Sequence, residues 1–309
     1  VLADVRRRRI PLPARGVELA VLDWGGEGPL ALLHHANGFC AAVWGPVAEG
    51  LRRSFRVVAF DARGHGDSSK PEDAEAYRWP EFGRDLAALA ATLAAESGPV
   101  ALGLGHSFGG TATLLAAVER PDLFERLVLV DPVVFPRRAF ESDPERRARA
   151  GGMAEGARRR RHVFPDRAAA RASWRRREAF AHWDPRALEL YLAEGLADRP
   201  GGGVELKCPG EVEAAIFERG ASVDAMAEAR RLRVPTLVLA ARRGSFPRAH
   251  FEELARGMSD GRVREVDTGH FVPMEAPGLV VREALAFSAR RGSRAAPSPK
   301  SPPPARRPS

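Results

Sequence analysis

Val100-Ala-Leu-Gly-Leu-Gly-His-Ser-Phe-Gly-Gly110 reads as a short apolar strand that runs through Gly105-His106-Ser107-Phe108-Gly109 into a helix over Thr111–Glu119. The pattern is G-x-S-x-G in the setting that gives it meaning: strand, sharp turn, helix. Glycines two residues before and two after the serine let the backbone turn without a Cβ in the way. The serine oxygen is then presented at the carboxyl end of a sheet. It sits beside a helix N-terminus, whose partial positive charge favours an anion. Ser107 is the candidate nucleophile. A dinucleotide- or phosphate-binding turn would need G-x-G-x-x-G or G-x-x-x-x-G-K-[ST], and neither spacing fits here.

A serine hydroxyl is a weak nucleophile until a base takes its proton. Val266-Asp-Thr-Gly-His-Phe-Val-Pro-Met-Glu-Ala-Pro277 puts His270 on a loop after the last strand, at the same sheet edge as Ser107. That position makes His270 the candidate base.

Around these two segments, strands alternate with helices. Val17–Trp24, Leu30–His34, Arg56–Phe60, Arg126–Val130, Pro235–Ala240 and Arg262–Asp267 read as strands, and Glu81–Ala95, Ala249–Met258 and Pro277–Arg290 as helices. Such alternation predicts a parallel sheet covered on both faces. From Phe135 to about Arg231 strand signals are almost absent, and helix starts such as Asp184-Pro185 dominate. The expected division is a core at 8–134 and 232–290 interrupted by a helical insertion at 135–231. The Pro-, Ser- and Arg-rich stretch 291–309 is expected to be disordered.

Five segments together resemble the α/β-hydrolase superfamily over about residues 8–290. They are His34-His35-Ala36-Asn37-Gly38-Phe39, Asp61-Ala-Arg-Gly-His-Gly-Asp-Ser68, Gly105–Gly109, Leu129-Val-Asp-Pro132 and Gly269–Pro277. The resemblance implies a mostly parallel eight-stranded sheet flanked by helices, with the insertion as a cap over the site. It points to a capped, esterase- or lipase-like member with a serine nucleophile, and nothing in the sequence suggests a metal or organic cofactor. It also implies an oxyanion hole of two backbone N–H groups. Phe108, after the nucleophile, would supply one. Asn37 is assigned the other, on a loop where His35-Ala36 stands in place of the usual His-Gly, although Asn-Gly is also a plain turn signal. The loop holding His65 and Asp67 is expected to be structural.

The family usually places its acid after the penultimate core strand. Here that loop, Ala241-Arg-Arg-Gly-Ser-Phe-Pro247, contains no Asp or Glu. Asp131, ending the strand after the nucleophile helix, is the best substitute, and the order Ser107, Asp131, His270 is preserved. Asp267, Glu265, an acid from the insertion, or none at all remain the alternatives.

Composition narrows the function classes. The net charge is +8, but +3 lies in residues 1–9 and +6 in residues 289–309, which leaves the body at −1. The body therefore carries no electrostatic argument for nucleic acid. Two cysteines, Cys40 and Cys208, give neither a disulfide scaffold nor a zinc-finger spacing. No apolar run is long enough to span a membrane and no apolar stretch follows the basic start, so a cytoplasmic protein is expected. Residues 137–177 hold 14 arginines. Facing the cleft they would draw anionic substrates; facing out they are a solvated surface. Phe135, Phe164, Trp174, Phe180, Trp183 and Tyr191 would likewise line an acyl pocket or form the insertion's own core. The expected activity is hydrolysis of small-molecule carboxylic esters, lipid-like ones included. Carbon–carbon bond hydrolysis or a cofactor-free perhydrolase reaction on the same residues is the alternative within enzymes. A hydrolase-fold protein that binds a ligand without catalysis is the alternative outside them. Oligomeric state is left open.

Overall fold

Leu30–His34 and Leu127–Val130 are buried at every position, as strands covered on both faces must be. Their side chains alternate between two cores: Leu30, Leu32, Leu127 and Leu129 enter one, and Ala31, Leu33, Val128 and Val130 the other. The structure, a computed structural model, describes residue 2 and residues 4–289, without the side chains of 139–141. The stretch 291–309, where disorder is expected, lies outside the described residues.

In chain order the strands are β1 (Arg6–Leu12), β2 (Val17–Gly25), β3 (Leu30–His34), β4 (Arg56–Phe60), β5 (Leu102–His106), β6 (Leu127–Val130), β7 (Val163–Phe164), β8 (Leu196–Asp198), β9 (Val204–Leu206), β10 (Thr236–Arg243) and β11 (Gly261–Gly269). Eight of them form one sheet in the order β1-β2-β4-β3-β5-β6-β10-β11. β2 runs antiparallel to β1 and β4, and the remaining pairings are parallel.

The helices are α1 (Gly45–Leu51), α2 (Trp79–Ser97), α3 (Phe108–Glu119), α4 (Arg137–Ser142), α5 (Pro144–Arg159), α6 (Arg167–Arg175), α7 (Pro185–Glu194), α8 (Gly210–Glu218), α9 (Ala225–Ala229), α10 (Arg248–Gly257), α11 (Val272–Glu275) and α12 (Pro277–Ala289). Phe82 and Leu86 of α2, Leu114 of α3 and Phe251 of α10 pack in one core. Val47 and Leu51 of α1 and Val280 and Phe287 of α12 pack in the other. This is an eight-stranded, mostly parallel sheet flanked by helices, with a mainly helical insertion.

Two features depart from the sequence pattern. The edge strand β1 carries Arg6 to Arg9, from the basic start in which no strand is expected. Its anchor is Ile10 and Leu12, both buried, while Arg7, Arg8 and Arg9 pair with Glu194, Glu96 and Glu18. An edge strand needs only one covered face, so charge on the other is tolerated. The insertion, expected to be nearly free of strands, contains the antiparallel sheet β7-β9-β8. Strands of two or three residues are too short for alternation to register in a sequence.

Four helix starts in the insertion do carry side-chain caps. Asp184 accepts from the N–H of Arg186 and Pro185 opens α7, while Asp143, Asp166 and Asp224 cap α5, α6 and α9 in the same way.

Candidate active site

Three parallel strands, the neighbours β5 and β6 and, across β10, β11, end at the carboxyl edge of the sheet, and each hands over directly to one candidate residue. β5 ends at His106 before Ser107, β6 at Val130 before Asp131, and β11 at Gly269 before His270.

Ser107 has φ 56° and ψ −123°, a strained backbone for a residue with a side chain. Close packing enforces it. A Cβ on Gly105 would stand 2.4 Å from the Gly109 carbonyl, and one on Gly109 would stand 2.3 Å from the His35 carbonyl. The two glycines of the motif are therefore required by approach of backbone to backbone. The Ser107 N–H donates to the Val130 carbonyl at 2.9 Å, tying the turn to β6.

The Ser107 hydroxyl lies 2.8 Å from His270 Nε2, and His270 Nδ1 lies 2.6 Å from Asp131 Oδ2. The carboxylate can only accept, so Nδ1 carries the proton and Nε2 is left free to accept from the serine. Asp131 is fully buried, and its other oxygen accepts from the Ala241 N–H at 2.9 Å. The loop after β10, which has no acid of its own, thus supplies an N–H for Asp131. It also supplies room, since a Cβ on Gly244 would stand 2.5 Å from Asp131 Oδ2. Asp267 and Glu265 pair instead with Arg243 and Arg242.

His270 is held by its backbone as well. Glu275 accepts from Gly269 N–H at 2.7 Å and from Phe271 N–H at 3.3 Å, and His106 Nε2 donates to the His270 carbonyl at 2.8 Å. Burial, with His270 as neighbour, keeps the His106 imidazole well below its usual pKa and neutral. Sequence reasoning missed Glu275 and His106 as supports, although both stand within the quoted motifs.

Phe108 is the first residue of α3, so its N–H has no partner within the helix. The start of this helix lies on the loop carrying Asn37. Asn37 is buried, and its side chain is committed elsewhere: Nδ2 donates to the Glu213 carbonyl at 3.0 Å, and Oδ1 lies beside His65. Only its backbone N–H remains for an oxyanion. His65 donates from Nδ1 to the Arg63 carbonyl and accepts at Nε2 from Gly38 N–H, while Asp67 pairs with Lys207. Both act on loops, away from Ser107 and His270.

Several of the insertion's arginines are already paired: Arg158 with Glu211 and Glu218, Arg167 with Asp198, and Arg171 with Glu189. Its aromatics Phe164, Trp174, Trp183 and Tyr191 belong to the second core, and Phe135 to the first. Among the described residues no helix is long and apolar enough to cross a membrane.

Residues 31–284 match the model of the Alpha/beta hydrolase family. A 2-(acetamidomethylene)succinate hydrolase of Mesorhizobium japonicum is 38% identical over 106 residues, which cover 34% of this chain and 36% of that protein. An sn-1-specific diacylglycerol lipase of Mus musculus is 42% identical over 131 residues, covering 42% of this chain and 38% of that protein. The chain thus spans little more than a third of the length of these curated relatives. The solved structure of an E-2-(acetamidomethylene)succinate hydrolase superposes with a TM-score of 0.77 at 24% identity, covering 92% of this chain and 98% of that one.

Proposed function

Because the chain belongs to the alpha/beta hydrolase family, we propose that it hydrolyses carboxylic esters through an acyl-enzyme on Ser107. Ser107 Oγ attacks the ester carbonyl as His270 Nε2 takes its proton. Asp131 holds the imidazole tautomer and stabilises the imidazolium. The N–H groups of Phe108 and Asn37 receive the developing oxyanion. Collapse of the tetrahedral intermediate expels the alcohol, which takes the proton back from His270. Water, activated by the same histidine, then releases the acid.

The observation that carries this reading is the unbroken hydrogen-bond chain from Ser107 through His270 to Asp131, at 2.8 and 2.6 Å. The case for a non-catalytic binding protein rests on a missing acid, and Asp131 beside His270 supports the catalytic reading against it. Carbon–carbon cleavage or a perhydrolase reaction would use the same residues and differs in products. An amide is the second reading of the substrate, favoured by the relative whose name carries an acetamido group.

Matched ester and amide substrates with the same acyl group separate the two readings. The ester reading expects turnover of the ester, lost in Ser107→Ala. Turnover of the amide alone would move the assignment to amide hydrolysis. Turnover of both that persists in Ser107→Ala would overturn the acyl-enzyme.

A further inference from the structure

The loop that carries Asn37 and Gly38 lies between a strand and a short helical turn, so its conformation depends on what it touches. Gly38 has φ +82°, and its N–H donates to His65 Nε2 at 3.0 Å, an anchor from the core. Two other anchors come from the insertion. Tyr191 of α7 donates its hydroxyl to the Gly38 carbonyl at 2.9 Å, and the Glu213 carbonyl of α8 accepts from Asn37 Nδ2. Glu213 also fills the space beside Gly38, where a Cβ would stand 2.7 Å from its Oε1. The Glu213 carboxylate is itself held by Arg160 at 2.8 Å.

Tyr191 is built to hold one position. It is 2% exposed, and its ring stacks on Trp174 at 4.7 Å with 20° between the planes. Phe39, next to Gly38, meets it edge-on at 5.1 Å. Burial raises the phenol's pKa, so the hydroxyl keeps its proton and remains a donor. Its buried hydroxyl needs a hydrogen-bond partner, and the one it takes is on the Asn37 loop, 153 residues away.

We infer that the insertion builds the oxyanion-binding loop, with Tyr191 as a positioning residue that holds the Gly38 carbonyl and thereby aims the Asn37 N–H at the oxyanion. The insertion is then part of the machinery for transition-state stabilisation, beyond any role as a cover. This rests on the acyl-enzyme reading of Ser107 proposed above.

The test is Tyr191→Phe, which keeps the ring and removes the hydrogen bond. Loss of an oxyanion donor costs about 10²–10³-fold in kcat, so a misaimed one should cost about 10-fold. On a 4-nitrophenyl ester the expected result is that fall in kcat with KM within about twofold. A trifluoromethyl ketone, which forms an oxyanion adduct with the serine, should lose affinity by the same factor, while the product carboxylate inhibits as before. Asn37→Ala cuts the other tether and should give the same split if the tyrosine variant folds poorly. Unchanged kcat in folded Tyr191→Phe, or a lower melting temperature with kinetics intact, overturns the inference alone. Wild-type protein that neither reacts with a fluorophosphonate at Ser107 nor turns over the ester overturns the acyl-enzyme reading, and this inference with it.

Discussion

Ser107 and Asp131 are the two non-glycine residues with positive φ among the described residues, at 56° and 42°, and each is the first residue beyond one of two neighbouring parallel strands. His270 closes the gap between them with one ring nitrogen on each. Backbone strain of order 1–3 kcal/mol per residue persists only where the surroundings over-determine it. Here both strained residues point at one imidazole.

Asp131→Asn tests the acid directly. Asparagine tolerates positive φ and can still accept from Ala241 N–H, so the fold should survive. Its amide can instead offer a donor to His270 Nδ1 and favour the wrong tautomer. A fall of about 10⁴-fold in kcat, with product affinity little changed, is expected from steady-state kinetics. Activity within a few fold of wild type would remove Asp131 from the chemistry.

Gly244→Ala places a methyl 2.5 Å from Asp131 Oδ2, against a carboxylate with no room to retreat. Overpacking at such a site costs about 1–3 kcal/mol. Urea denaturation should show that loss, and kcat should fall as the carboxylate is pushed off His270. A variant with wild-type stability and rate would mean the loop after β10 yields freely.

Glu275→Ala frees the two N–H groups on either side of His270. The base then samples positions off the serine. A fall of about 10-fold or more in kcat is expected from a misplacement near 1 Å, with slower labelling by a fluorophosphonate. Labelling at the wild-type rate would show that His106 alone suffices to hold the loop.

Acid should unfold the protein earlier than carboxylates alone would require. Burial drives His34 down to about 3, and burial also lowers His35, His65 and His106. Between pH 6.5 and 3 the unfolded chain binds protons at these sites that the folded chain refuses, so stability falls as the pH drops through that window. His34 alone should contribute a loss of about 2 kcal/mol by pH 5. Urea midpoints at pH 7.5 and pH 5.0 check this, and equal midpoints would contradict it.

Much of this site is legible along the chain because its requirements are local. The turn at Ser107 needs Gly105 and Gly109 within a five-residue window, and Asp131 and His270 each stand one residue past a strand. Other parts escape for stated reasons. The four arginines of β1 hide an edge strand whose apolar positions are Ile10 and Leu12. Strands of two and three residues in the insertion carry no period. Gly244 has a role only because Asp131 lies against it, 113 positions earlier in the chain. Tyr191 reaches Gly38 from the insertion, and nothing in either local sequence announces the other.

An activated serine at position 107 is read out by mass spectrometry after treatment with a fluorophosphonate. One adduct per chain is expected on the peptide containing Ser107, absent in Ser107→Ala and strongly slowed in Asp131→Asn. Folded protein that stays unmodified, or an adduct that persists in Ser107→Ala, would contradict it.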